Sequence, residues 1–419
     1  MACLVTGIRA ALNRQIGIEE YLIWSTVMAV LMFVSLRGSF QAGYIIVLLN
    51  ALVLLIFDHL AIHRNHMAAI LALAGFSVIG ADLAGTPFTA IIAQIVGITI
   101  MSVYFLCALT SFGLSLTRWM ELYMRVAFAM ALFGLVTWPV VTLLSGDARL
   151  RAIYSEPSFF IYVTLPAVGY CVNCYVTNRR YGLESLIFLA SYILADSSLG
   201  FLGLLLIGLL AYGPRLKGRQ LVGAMASACI LLVGVYAASA NVRFRVNDLA
   251  KAVVNQDLSQ SGATTFAFLS NIYVTSQSFL AHPLTGIGIG GYANAYDKYV
   301  GNITDTAEMI GQGYLTSLQL NRDDAASMFL RTTAELGILG PLLLLAFLVV
   351  CARVRGAPYL TIRNALLPYL IVRMTRLGAY FTVELYFFVG IYLLNYLNYR
   401  QASRPSLPLS GTPIESNPI

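Results

Sequence analysis

Long apolar runs, separated by short polar breaks, fill most of the chain. A membrane-spanning helix needs roughly 20 mostly apolar residues, and fewer when it is sheltered among other helices. Twelve spans are expected on that basis: Tyr21–Leu36, Tyr44–Phe57, Met67–Ala84, Phe88–Ser111, Met124–Leu144, Phe159–Val176, Leu183–Ala195, Ser198–Tyr212, Leu221–Ala240, Ser327–Cys351, Leu366–Gly378 and Tyr380–Leu397. The seventh and eighth share one run broken at Asp196-Ser197-Ser198, so they form a tight hairpin or one kinked element. Between spans nine and ten the pattern changes. Residues Asn241–Ala326 form the one long polar interval, too long to be a plain connection. Its first part reads as a helix with Val242, Val246, Leu249 and Val253 on one face. A second amphipathic stretch covers Thr265–Ala281. The chain thus divides into spans one to nine (1–240), the loop (241–326), spans ten to twelve (327–399) and a Pro/Ser-rich tail (400–419) expected to be disordered.

Composition supports a lipid-solvated protein. Apolar residues make up 59% and charged residues 11%, with mean hydropathy +0.78. That charge is about half the usual share for a soluble domain, which excludes a soluble enzyme and a disordered chain. The net charge is +7. No Lys/Arg-rich run with interleaved aromatics occurs, so no nucleic-acid partner is expected. Basic residues instead report orientation. With the N-terminus in the cytoplasm, inside segments carry Arg64, Arg118, Arg125, Arg179, Arg180, Arg215, Lys217, Arg219, Arg353, Arg355 and Arg363 among others. The short outside loops carry only Arg37, Arg149 and Arg151. Both ends are therefore expected inside and the long loop outside.

Several polar groups stand out against this background. His282-Pro283-Leu284-Thr285-Gly286-Ile287-Gly288-Ile289-Gly290-Gly291 is either a tightly turned loop or a backbone cradle for phosphate or sugar. Glu156, before Pro157, caps a helix or offers a carboxylate at the outer face. Arg331 and Glu335 lie four apart on one helical face, as a buried structural pair or a substrate anchor. Arg373 and Arg376 lie three apart, with Glu384 following; they either reach to the interface or bind phosphate oxygens. Asp82 and Asp196 read as packing or helix-end residues. His59, His63 and His66 lack a ligand set for a metal. Cys171-x-x-Cys174 sits in an apolar run and reads as packing.

The order of these pieces resembles the O-antigen polymerase/ligase superfamily, the Wzy-like polymerases and WaaL-like ligases. The resemblance is carried by Glu156-Pro157-Ser158, Leu194-Ala195-Asp196-Ser197-Ser198-Leu199-Gly200, Pro283–Gly290, and Phe329-Leu330 followed by Glu335-Leu336-Gly337-Ile338-Leu339-Gly340. It implies a GT-C-like, all-α polytopic fold of about 12 transmembrane helices with one large periplasmic loop, in a bacterial inner membrane. The implied activity is transfer of a glycan from undecaprenyl diphosphate to a lipid-linked repeat unit at the periplasmic face. Other implied partners are membrane lipid and a chain-length regulator. Ligases typically carry His-Asn where this chain has Ala326 and Ser327, which favours the polymerase over transfer to lipid A-core or protein. A lipid-linked oligosaccharide flippase is the alternative from another class.

The chemistry asks for charge stabilisation and orientation, because a diphosphate is already a good leaving group. Arginine supplies that charge without a metal, so no cofactor is expected. The expected catalytic group is Glu156, Arg243, Arg245, His282, Arg331 and Glu335, with Glu156 the first choice as base. Arg151, Gly286, Gly288, Gly290, Arg373 and Arg376 are expected to bind substrate, and Tyr292, Tyr296 and Tyr299 to stack on sugars.

Overall fold

The computed structural model describes residues 17–32, 35–37, 40–57, 63–213, 217–220, 239–255, 261–303 and 321–403, with isolated positions 223, 226, 230, 233, 234, 236 and 237. The expected ninth span, the tail beyond 403, His59, Cys3 and Cys229 lie wholly or largely outside the described residues.

Helices build nearly everything described. In chain order they are α1 (Ile18–Leu31), α2 (Ala42–Ile56), α3 (Arg64–Ala84), α4 (Phe88–Ser111), α5 (Leu116–Ser145), α6 (Pro157–Asn178), α7 (Gly182–Ala195) and α8 (Ser198–Tyr212). Then follow α9 (Ala240–Asn255), α10 (Ala263–Ala281), α11 (Tyr292–Tyr299), α12 (Met328–Leu336), α13 (Leu339–Cys351), α14 (Tyr359–Arg376) and α15 (Val383–Ala402). Several boundaries differ from expectation: α5 starts at Leu116 rather than Met124 and α14 at Tyr359 rather than Leu366, and two further differences have a visible cause. Helix α1, where the first span was expected, ends at Leu31, because the chain beyond it pairs as a small antiparallel hairpin, Ser35–Arg37 with Phe40–Gln41. The stretch expected to be the tenth span holds two helices, α12 and α13. Gly337, at φ 59° and ψ −147°, breaks it in a conformation that a residue with a Cβ adopts only under strain.

Among the described residues, four helices are long and apolar enough to cross a membrane: α3, α4, α5 and α6. Shorter apolar helices are α2, α7, α8 and α13. Their outward faces carry leucine and valine in open contact with the surroundings, including Leu52, Leu71, Leu83, Val136, Leu143, Leu186 and Leu342. Contiguous exposed apolar surface on this scale is untenable in water and natural in lipid.

Helix α6 is the axis of the body, with both flanks buried. Its packing against α14 depends on a missing side chain: a Cβ on Gly169 would lie 2.8 Å from the Ala365 carbonyl oxygen. Small residues allow this close backbone approach, the usual means of tight packing between helices in lipid. Polar bonds across the same seam tie Asn364 Nδ2 to Asn173 Oδ1 at 3.0 Å. The Tyr123 hydroxyl donates to the Val163 carbonyl of α6.

Helices α9–α11 form a separate layer over one end of the body. Its own apolar core joins Phe266 and Val274 of α10 to Tyr292 and Tyr296 of α11, with Ile287, Ala325 and Ala334. The N-termini of α6 and α8 and the C-terminus of α14 reach the end of the body that this layer covers.

Candidate functional site

Under that layer lies a cavity of about 400 Å3. The α6 start supplies Ser155, Glu156, Pro157 and Ser158; the α7–α8 turn supplies Asp196 and Ser197. Arg149 comes from the loop after α5, Arg245 from α9, Asp324 from the loop before α12 and Arg376 from the last turn of α14. Three guanidinium groups and three carboxylates thus share one chamber.

Local sequence explains these placements. Glu156 is extended (φ −134°, ψ 148°) and Pro157 opens α6, where its fixed φ suits the first helical position and its missing N–H costs nothing. The Glu156 side chain makes no cap bond to the helix. Its Oε2 accepts from Ser158 Oγ at 2.9 Å, and the residue is exposed to the chamber. Asp196 takes a left-handed conformation (φ 41°) between α7 and α8, which makes the pair a hairpin rather than a kink. Its Oδ1 accepts from Ser239 Oγ at 2.8 Å. The first turns of α6, α8 and α10 all border the chamber, through Pro157, Leu199 and Thr264. Helix N-termini carry positive partial charge and free N–H groups, so three of them add to the attraction for an anion.

The arginines are not equivalent. Arg149 is forked onto Asp147, Nε to Oδ1 and Nη2 to Oδ2, both at 3.0 Å. This bond raises the Arg149 pKa and lowers that of Asp147. Arg245 and Arg376 form no ion pair with another described residue. Burial, then the like charges of Arg376 and Arg149, pull the Arg245 guanidinium below its ordinary pKa, against the opposing pull of Glu156 and Asp196. Asp324 moves the other way: burial raises its carboxyl above the usual range despite the Ala326 N–H at 3.2 Å and the nearby Arg331 and Arg373. Arg245, Arg376 and the helix N-termini are the chamber's anion-attracting elements, set against the Glu156, Asp196 and Asp324 side chains.

The structure brings Glu156, Arg245 and Arg376 together and places the other expected residues elsewhere. Arg243 is exposed and donates to the Ala237 carbonyl at 3.0 Å. Arg151 and His282 do not line the chamber. Arg373 is 1% exposed. Its guanidinium donates to the Leu377 carbonyl, to the Ala379 carbonyl at 2.6 Å and to Thr382 Oγ1 at 2.9 Å, with Glu384 3.9 Å from Nε. It ties the end of α14 to α15.

Arg331 and Glu335 form a fully buried pair at 3.2 Å, with the Arg331 guanidinium stacked 4.2 Å from the Tyr380 ring centre. Glu335 Oε1 also accepts from the Gly290 and Tyr292 N–H groups at 3.0 and 3.3 Å. The glycine stretch faces inward for the same reason. Ile287 N–H donates to Ala334 and Gly288 N–H to Glu335, each at 3.0 Å. Gly286, Gly288 and Gly290 have φ of 65°, 79° and 87°. A Cβ on Gly286 would overlap the Glu335 backbone, and one on Gly288 would meet the Ser77 carbonyl at 2.6 Å. These glycines lock the loop between α3 and α12, with their N–H groups turned to protein partners. Tyr292 and Tyr296 are likewise buried in the layer's core, their hydroxyls directed at Asn271 and Ser270, which leaves no open ring face for a sugar.

Arg149, Asp196 and Asp324 complete the chamber and were not singled out as site residues from sequence. Arg149 shares a short outer loop with Glu156, which was a usable signal. Asp324 reaches the site only because the loop before α12 folds back on the end of α14, where a Cβ on Gly378 would overlap the Asp324 carbonyl oxygen. Compared with known proteins, the chain matches no family model and no curated protein.

Proposed function

We propose that the chamber binds the diphosphate of a polyprenyl-linked glycan and transfers that glycan to a second lipid-linked repeat unit, as a polysaccharide polymerase of an O-antigen, capsule or exopolysaccharide. The observation that carries this reading is the meeting of Arg149, Arg245 and Arg376 with Glu156 in one cavity at the end of a lipid-facing helical body. In this scheme an acceptor hydroxyl attacks the anomeric carbon, and its proton passes to Glu156. The bond from that carbon to the diphosphate oxygen breaks, and the oxygen leaves with the electron pair on the carrier lipid. Arg245 and Arg376 meet the charge that grows on this oxygen, the interaction that lowers such barriers most. Glu156 is suited to the base role because its carboxylate opens to the chamber and is not consumed in capping α6.

In this reading the chamber lies on the periplasmic side of a bacterial inner membrane, and the body crosses the bilayer twelve times. The residues at the ligase His-Asn positions support polymerisation over ligation. Ala326 lines the chamber, and Ser327 Oγ is occupied by the Met374 carbonyl at 2.7 Å. Clustering of the chamber's charges at one end favours surface chemistry over a flippase, which needs a charged path to both faces. Purified protein supplied with its lipid-linked repeat unit is the test. A ladder of glycans formed without nucleotide sugar is the expected result; intact, unextended repeat units would refute the proposal.

A further inference from the structure

The chamber continues past its arginines. A second hollow of about 390 Å3 opens between the outer ends of α8 and α14 and the flanks of α9 and α10. Leu199, Arg245, Thr264 and Arg376 border both hollows. Beyond that threshold the lining is mainly apolar, from Leu202 of α8, Val242, Val246 and Leu249 of α9 and Phe268 of α10, with the small polar side chains of Ser198, Thr265 and Thr375 among them. Val246 is 49% exposed and Leu202 37%, so this surface is open rather than packed shut. Leu202 lies one turn inward from the α8 N-terminus, so the groove runs from the charged chamber alongside an apolar helix of the body.

One helix serves both hollows. On α9, Val242, Val246 and Leu249 follow the i, i+4, i+7 stripe of a single helical face, and Arg245 sits beside that stripe toward the chamber. A charged pocket and an apolar groove joined at two arginines match an amphiphile with a polyanionic head and a single apolar chain.

We infer that the groove holds the first part of a polyprenyl tail, with α9 gripping head and tail together, so that the carrier reaches the chamber sideways from the lipid. This rests on the diphosphate reading above and adds the tail's berth and its length limit. Seven residues of helix rise by about 10 Å. The stripe therefore contacts only the tail's first units, and recognition saturates with chain length. Each methylene group buried in the groove should tighten binding by about fourfold.

The full chain in lipid nanodiscs tests this with inorganic pyrophosphate and with dimethylallyl, geranyl and farnesyl diphosphates. Affinity should climb from pyrophosphate through the short prenyl diphosphates and then level off. Val246→Asn and Leu249→Asn should flatten the climb while leaving pyrophosphate binding in place. Val254→Asn should change neither, since Val254 is 79% exposed and lies outside the groove. A climb that survives both groove variants would reflect partition into lipid and would overturn the inference. So would pyrophosphate binding that gains nothing from a tail. Failure of pyrophosphate to bind at all would instead remove the head reading, and this inference with it. A photo-reactive residue at position 249 should capture a polyprenyl diphosphate, and one at 254 should not; equal capture at both sites would also overturn it.

Discussion

Two arginines three residues apart on α14 should fail in opposite ways. Arg373 is enclosed, bonded to two carbonyls and a hydroxyl and facing Glu384. Arg373→Ala leaves those acceptors and the Glu384 carboxylate buried without their cation. Breaking a buried pair from one side costs about 3–5 kcal/mol. Unfolding entropy near 2.1 cal/mol/K per residue amounts to roughly 0.9 kcal/mol/K over 419 residues. The melting midpoint should therefore fall by roughly 3–6 °C. Arg376 is half-buried, lines the chamber and holds no described ion pair. Arg376→Ala should change stability by less than about 1 kcal/mol. Its effect belongs on the reaction, where losing one group that meets developing charge slows turnover by about 100–1,000-fold. The assay pairs thermal unfolding of the purified variants with single-turnover release of polyprenyl diphosphate. If Arg376→Ala melts early with near-normal turnover, or Arg373→Ala keeps its midpoint, this division of labour between the two arginines is refuted.

Other consequences follow from the same contacts. Glu335→Gln keeps the shape of the side chain but strands Arg331 in the interior, so unfolding should become easier by about 3 kcal/mol, checked by thermal denaturation. Gly378→Ala should prevent accumulation of folded protein, because the new Cβ would overlap the Asp324 carbonyl oxygen; Gly75→Ala, with open space around it, should fold normally in the same expression and size-exclusion assay. Burial raises the Asp324 carboxyl, so the folded state holds that proton more tightly than the unfolded chain. Its contribution to stability is full below the ordinary carboxylate range and is lost as pH rises through the folded value. Asp324→Asn should therefore raise the midpoint at neutral pH and shrink the stabilisation seen on acidification, read from midpoints across a pH series. Glu156→Gln should leave the midpoint unchanged and slow glycan transfer by about 100-fold or more, with pyrophosphate binding retained.

Sequence pattern and structure agree most closely where chain punctuation is strong. Pro87 fixes the start of α4, and Ser198 opens α8 just past the left-handed Asp196, so both helices begin where the pattern placed them. The break at Gly337 was hidden because Gly337-Ile338-Leu339-Gly340 reads as continuous apolar sequence, and only the threaded loop from Pro283 explains it: Ile338 N–H donates to the Pro283 carbonyl at 2.9 Å. The shared face of Arg331 and Glu335 was legible from their spacing, but what they face was not. A pair four apart can point to substrate or to protein, and here it holds the glycine loop. Arg373 and Arg376 posed the same ambiguity on one turn of α14, and their burial divides them. Asp324 depends on contacts between segments distant in sequence, which no local periodicity encodes.

A thiol reporter inside the chamber, placed without touching its arginines, asks directly whether the site faces outward and holds a diphosphate lipid. The described native cysteines, Cys107, Cys171, Cys174 and Cys351, are all buried, so background labelling at them should be low. A Ser158→Cys variant in intact cells should react with a membrane-impermeant thiol reagent from the outer face, and a polyprenyl diphosphate should protect it. Labelling only from the cytoplasmic side, or labelling indifferent to the diphosphate lipid, would rule out an outward-facing diphosphate site.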